Sequence, residues 1–153
     1  MTFILAFLIG FFGGLRSFTP PAATAWAVYL GWLKQQRPLS LIGSLPAVAI
    51  FSLLALGEFV VDKLPKAPSR TAPPGLIARI LFGALTGACV AAGGAEQPIV
   101  GALLGAAGGL AGCFGGYQAR RRIVKGLGTQ DIYIALVEDI VAVGGSLWVV
   151  SRF

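Results

Sequence analysis

The residues best suited to chemistry lie where a long apolar segment near the N-terminus is interrupted. Arg16 and Ser17 are followed closely by Thr19 and two prolines, with apolar stretches on both sides. Proline lacks a backbone N–H and disfavours helical geometry at the residue before it. We therefore expect two half-helices, the second beginning at Pro20 with Ser17 or Thr19 as its N-cap.

Such a break would suit the binding of an anion. The free N–H groups and the positive dipole end of a helix N-terminus attract negative charge, and Arg16 adds a guanidinium. Broken helices of this type line cavities in many transporters. We predict that Arg16, Ser17 and Thr19 bind substrate. The alternative is a proline kink in which Arg16 pairs with an internal carboxylate.

Four carboxylates, Glu58, Asp62, Glu138 and Asp139, lie in or beside apolar segments. A carboxylate inside a membrane is costly unless it is paired, neutralised or hydrated, so each is a candidate for function. We predict that Glu58 and Glu138 contribute to the substrate site as gating or proton-coupled groups. The alternative for both glutamates is a structural ion pair with an arginine.

Further charged residues are candidates for gating or for ion pairs. These residues are Asp62, Asp139, Arg70 and Arg120. Arg16 and Arg79 are the cations that we consider as structural partners of the two glutamates. Arg70 precedes a second Thr-Ala-Pro-Pro stretch, which we interpret mainly as punctuation ahead of a helix.

Several classes of chemistry lack their usual residues. The chain has no histidine, which excludes His-based triads and His metal ligands. Cys89 and Cys113 are isolated in glycine-rich apolar runs and give no redox or zinc signature. The serines and threonines near the prolines have no evident base. We therefore expect no cofactor, no metal and no enzymatic activity.

The composition requires an apolar solvent. Of 153 residues, 56% are hydrophobic and 12% are charged, and the mean hydropathy is +0.83. A soluble domain carries about twice that charged fraction, and a chain this short cannot bury so much apolar surface in one core. We predict one transmembrane helical domain over residues 1–153.

The pattern of apolar segments predicts an all-α integral membrane protein. We distinguish five segments, at residues 3–33, 42–61, 76–92, 99–117 and 132–150. Most approach the ~20 residues that cross a ~30 Å hydrocarbon core. No period-2 alternation indicates strands. The fold is thus expected to have about five transmembrane helices, the first broken at Thr19–Pro21.

Lysine and arginine predict the orientation. With five spans, one side receives eight of them, from Lys63 to Lys125, and the other side receives Lys34, Arg37 and Arg152. The side richer in positive charge is expected to be cytoplasmic, with the N-terminus inside and the C-terminus outside. The net charge of +6 is then mainly a topology signal, and we expect no nucleic-acid partner.

Glycines four residues apart predict close contacts between helices. They are Gly83 and Gly87, then Gly101, Gly105 and Gly109, and then Gly108, Gly112 and Gly116. Packing inside one chain and a homo-oligomer interface are the two interpretations.

Two short motifs occur twice. Residues 10–14 (GFFGG) resemble 112–116 (GCFGG), and residues 55–58 (ALGE) resemble 135–138 (ALVE). An internal inverted repeat would account for both. However, inversion should place Glu58 and Glu138 at opposite depths, whereas the five segments place them at similar depth.

Five motifs together resemble a family of small bacterial inner-membrane proteins, domain-of-unknown-function family 4126. The motifs are GFFGGLRSFTPP at 10–21, GEFVVDKLPKAPSRTAPPG at 57–75, FGGYQAR at 114–120, LVEDIVAVGG at 136–145 and VSRF at 150–153. The resemblance covers nearly the whole chain. It implies a multi-pass protein of the bacterial cytoplasmic membrane with a single helical domain, and it implies no activity.

Three functions are compatible with these residues. The leading hypothesis is transport or permeation of a small anionic solute or a lipid phosphate, with Arg16 engaging the anion. The second is a structural or assembly protein of the bilayer, packed through glycines into a homo-oligomer. The third is an enzyme acting on a lipid head group.

Overall fold

The computed structural model describes residues 1–63, 72–128 and 131–153, and within these ranges every regular element is helical. The helices are α1 (Thr2–Leu15), α2 (Thr19–Tyr29), α3 (Leu45–Val61), α4 (Pro73–Gly93), α5 (Pro98–Leu127) and α6 (Asp131–Val150), with a short 3₁₀ helix at Leu39–Gly43. The all-helical prediction is confirmed over the described ranges.

Helices α4, α5 and α6 are each long and apolar enough to cross a membrane, while α1 and α3 are shorter apolar helices. This supports a membrane protein on grounds of length and composition. The 14 residues of α1 extend only about 21 Å, less than the ~30 Å of a hydrocarbon core. Five full crossings are therefore not confirmed.

The break in the first apolar segment reverses the chain. Helix α1 ends at Leu15 and α2 begins at Thr19, one residue before the expected start at Pro20. Between them, Arg16 has extended backbone angles, φ −140° and ψ 117°. Thr2 lies against Gly94, and Leu33 lies against Gly93, the last residue of α4. Since the first residue of α1 and the chain after α2 meet there, α1 and α2 form a hairpin.

Buried residues confirm that α2 returns along α1. The apolar core joins Leu5 and Ile9 of α1 to Ala25 and Ala27 of α2 and to the last residues of α6. The hairpin tip, residues 16–18, therefore lies at one end of the bundle. We call this the charged end, and we call the opposite end, which contains Thr2 and Gly93, the terminal end.

Both chain termini lie at the terminal end. Ser151 and Phe153 share a surface hollow with Trp32 and Gly93, and Thr2 is beside Gly94. The expectation of an N-terminus and a C-terminus on opposite sides is therefore wrong. Its cause is the 31-residue segment 3–33, which was treated as one crossing although the chain turns back inside it.

Glycines let α1, α4 and α5 pack with their backbones in contact. A Cβ added to Gly105 would overlap the carbonyl oxygen of Gly83, and one added to Gly112 would overlap that of Phe11. A Cβ on Gly109 would lie 2.7 Å from the carbonyl oxygen of Arg79. The prediction that these glycines lie at helix–helix contacts is confirmed, and the contacts are within one chain.

The two duplicated motifs do not share one symmetry. The GFFGG and GCFGG copies lie on α1 and α5, which both run from the terminal end to the charged end. The ALGE and ALVE copies lie on α3 and α6, which run in opposite directions. A single inverted repeat requires both pairs to be antiparallel, so the inverted repeat is not supported.

The shared position of the termini predicts the outcome of accessibility labelling. In a background with Cys89 and Cys113 replaced by alanine, cysteines at Thr2 and Phe153 should be labelled from the same side of the membrane. A cysteine at Lys125 should be labelled from the other side, which we expect to be cytoplasmic. Labelling of Thr2 and Phe153 from opposite sides would contradict the hairpin.

The glycine contacts predict a difference in stability between two substitutions. Gly105→Ala should lower the free energy of unfolding by about 1–3 kcal/mol, because the methyl group meets backbone that cannot yield. Gly115→Ala is the control, since a Cβ there meets nothing within 4 Å. Its higher helix propensity should leave stability equal or slightly raised. Thermal unfolding in detergent measures both, and equal behaviour would refute the contact.

Candidate functional site

The hairpin tip carries Arg16 into the protein interior. The side chain is 0% exposed, and its guanidinium forms ion pairs with Asp62, at the end of α3, and with Asp139 of α6. Its Cζ also lies 5.5 Å from the centre of the Phe59 ring. One cation therefore connects the hairpin to two further helices, which fixes all three at this level of the bundle.

Asp139 lies between two cations. Its second oxygen, Oδ2, is 3.4 Å from Nζ of Lys63. The side chains of Asp62 and Asp139 retain 19% and 13% exposure, whereas Arg16 has none. A solute approaching this cluster would therefore meet the carboxylates before the guanidinium.

Glu58 occupies the start of α2. Its Oε1 accepts the Ser17 N–H at 2.7 Å, and its Oε2 accepts the Phe18 N–H at 3.0 Å. The N-cap residue is Phe18, which has no capping side chain, so the predicted cap by Ser17 or Thr19 is wrong. A carboxylate of α3 instead accepts the two N–H groups that directly precede α2, whose next positions, Pro20 and Pro21, have no N–H.

The structure thus places a carboxylate on the donors that the sequence marked as an anion site. Ser17 takes part through its backbone and is 4% exposed. Thr19 is 6% exposed, and its Oγ1 has no hydrogen-bond partner among the described residues. Whether either residue binds substrate stays a prediction.

We call Arg16, Glu58, Asp62, Lys63 and Asp139 the Arg16 cluster. Glu58 and Asp62 are one helical turn apart and both point to the hairpin tip, Glu58 to the N–H groups of Ser17 and Phe18 and Asp62 to the guanidinium. The end of α3 is therefore attached to the tip by two carboxylates at once.

Glu138 belongs to a neighbouring ion pair. Its Oε2 is 3.4 Å from Nη1 of Arg120 on α5. The pair borders an apolar groove of about 210 Å³ between α5 and α6, lined also by Leu15 and Gly116. Its observed partner is thus neither of the arginines considered from the sequence, and both glutamates lie near the hairpin tip, at similar depth as expected.

Two cations at the charged end have roles that sequence analysis missed. Arg79 is buried, and its Nε donates to the carbonyl oxygen of Gly14 at 3.1 Å. The last carbonyls of a helix have no partner within it, so a donor near the end of α1 could have been anticipated. A role for Lys63 in this group of charges could have been anticipated because it directly follows Asp62 in the sequence. The predicted role of Arg70 falls outside the described residues.

The Arg16 cluster consists of two cations and three carboxylates. Its oxygen atoms are ligands for hard metal ions, and it contains no sulfur or imidazole ligand. Among the described residues, no group of three or more His, Cys, Asp and Glu could hold a metal ion. The guanidinium of Arg16 and the N–H groups of Ser17 and Phe18 are complementary to negative charge, and carboxylates of the same chain occupy both positions.

The double pairing of Arg16 predicts a strong response to its removal. Arg16→Leu should lower the free energy of unfolding by about 3–5 kcal/mol, because two carboxylates lose their buried partner. Adding Asp62→Asn and Asp139→Asn should recover part of the loss, since the amides carry no charge. The exposed Arg37→Leu is the control. Chemical unfolding in detergent measures the series, and additive losses in the triple variant would contradict the pairing.

Residues 3–151 match the family model described as a domain of unknown function (DUF4126). The comparisons found no match among curated proteins and none among solved structures. The match covers nearly the whole chain, as the resemblance of its motifs implied. The chain therefore belongs to the DUF4126 family.

Proposed function

We propose that this protein transports or conducts a small anionic solute across a membrane and that the Arg16 cluster is its gated binding site. The observation that supports this proposal is the double attachment of α3. Glu58 holds the N–H groups at the start of α2, and Asp62 holds the guanidinium of Arg16. Both positions are complementary to anions, and both are filled by carboxylates of the same helical turn.

In this proposal the end of α3 is an internal ligand. A rigid displacement of α3 would withdraw Glu58 and Asp62 together and expose two adjacent anion-binding positions. An incoming carboxylate or phosphate would replace hydrogen bonds of the same kind, so the exchange has a small net free energy. A weakly held solute of this type can be released again, which transport requires.

The position of α3 in the fold is consistent with such a movement. It packs mainly against α2 and the 3₁₀ helix, whereas α1, α4 and α5 are held by backbone contacts at glycines. Helix α3 can therefore move while the glycine-packed helices keep their arrangement. We further propose a multi-pass location in a bacterial cytoplasmic membrane, with the charged end inside.

A structural or assembly role is the second candidate. The observation that favours it is the complete burial of Arg16 between two carboxylates, which needs no ligand to be stable. Under this alternative, the Arg16 cluster only fixes the positions of α3 and α6. Glycines outside the internal contacts, such as Gly57 and Gly144, would then be available to a second copy of the chain.

Glu58→Gln separates the two proposals. The amide keeps the shape of the side chain but loses the charge and one acceptor, so the internal ligand is weakened. If the cluster binds anions, acetate or phosphate should raise the melting temperature of Glu58→Gln more than that of the unaltered protein. At ten times the dissociation constant, the stabilisation is about 1.4 kcal/mol, or roughly 3–6 °C.

The matched control is Glu96→Gln, which removes an exposed carboxylate in the turn between α4 and α5. Its response to anions should equal that of the unaltered protein. Uptake of labelled anions into proteoliposomes completes the experiment. A destabilised Glu58→Gln variant with no anion response, together with absent uptake, would favour the structural role and contradict transport.

A further inference from the structure

Helix α5 has two faces of different character. Glycines 101, 105, 108, 109, 112 and 116 form the face that packs against α1 and α4. The opposite face is exposed along its length. It carries Leu103, Ala107, Leu110, Phe114, Tyr117, Gln118, Arg121, Arg122 and Lys125.

The polarity of this exposed face changes in order along the helix. Leu103 to Phe114 is apolar and extends about 16 Å at 1.5 Å per residue. Tyr117 follows, a residue type that favours the membrane–water interface. Arg121 and Lys125 come last, toward the charged end. The same order, apolar chain, interface and charged group, describes a phospholipid lying along the helix.

The basic residues of this face differ from their neighbour Arg120, which pairs with Glu138 across the groove toward α6. Arg121, Arg122 and Lys125 line a surface hollow together with Tyr117, and the guanidinium of Arg121 lies 6.0 Å from the centre of the Tyr117 ring. None of these three cations forms an ion pair with a described residue. Their charge is available to a ligand.

We propose that this face of α5 binds an anionic phospholipid. Its phosphate is held by Arg121, Arg122 and Lys125, and its acyl chain lies along Leu110 and Phe114. One arginine guanidinium can bind two oxygens of the same phosphate, and the lysine ammonium adds a point charge. Clusters of basic residues next to a membrane-spanning helix attract anionic lipids in this way. A free phosphate would use only the basic part of the face.

The test measures the thermal stability of the purified protein in a neutral detergent during titration with lipids. Dioleoyl phosphatidylglycerol should raise the melting temperature more than dioleoyl phosphatidylcholine does. Glycerol 1-phosphate and inorganic phosphate, which lack an acyl chain, should have no comparable effect. In the triple variant Arg121→Gln, Arg122→Gln and Lys125→Gln, the apparent affinity for phosphatidylglycerol should fall at least tenfold.

The matched control removes three positive charges at the opposite end, with Lys34→Gln, Arg37→Gln and Arg152→Gln. It changes the net charge by the same amount, from +6 to +3, and should retain the response to phosphatidylglycerol. Three results would overturn the proposal: equal stabilisation by both lipids, equal loss in both triple variants, or full stabilisation by glycerol 1-phosphate. All six substituted side chains are outside the Arg16 cluster. The transport proposal and the lipid-binding proposal can therefore be refuted independently of each other.

Discussion

A guanidinium without contact to solvent must find its counter-charge inside the protein, and for Arg16 this is supplied by Asp62 and Asp139. Removing such a charge from water costs several kcal/mol, and only close partners compensate for it. The hairpin tip, the end of α3 and the middle of α6 therefore have to meet at one level. Glu58 adds a second attachment between α3 and the tip, through the N–H groups of Ser17 and Phe18 just before α2. The charged end of the bundle depends on these contacts.

The described helices are held together in two different ways. Helices α1, α4 and α5 approach so closely that a methyl group at Gly105 or Gly112 would overlap a backbone carbonyl of the next helix. Such contacts have no space for gradual adjustment. Helix α3 is held at its charged end by ion pairs and hydrogen bonds of two carboxylates, Glu58 and Asp62. In the proposed transport, the charged contacts are the positions at which the fold changes, and this links the stability of the protein to the proposed movement of an anion.

The sequence predicted the break at Pro20 because proline acts locally, through its missing N–H and its effect on the preceding residue. It did not predict that the chain turns back there, because the tip is held by residues distant in the sequence, such as Glu58, which is 41 residues from Ser17 along the chain. The charged candidates were found because carboxylates in apolar segments are unusual. Pairing of Arg16 with an internal carboxylate was one of the two interpretations, but its partners Asp62 and Asp139 were not identified, since hydropathy contains no information on which helices are neighbours. The packing glycines were predictable because a spacing of four residues places them on the same face of one helix.

The central claim is that Arg16 holds α3 and α6 together, and a distance between these helices tests it most directly. Spin labels at Val60 of α3 and Ile140 of α6, which are 64% and 72% exposed, report that distance without entering the core. With Cys89 and Cys113 replaced by alanine, the protein with Arg16 should give one narrow distance distribution in double electron–electron resonance. Arg16→Met should give a broader distribution shifted to longer distances. An unchanged distribution in the methionine variant would contradict the account.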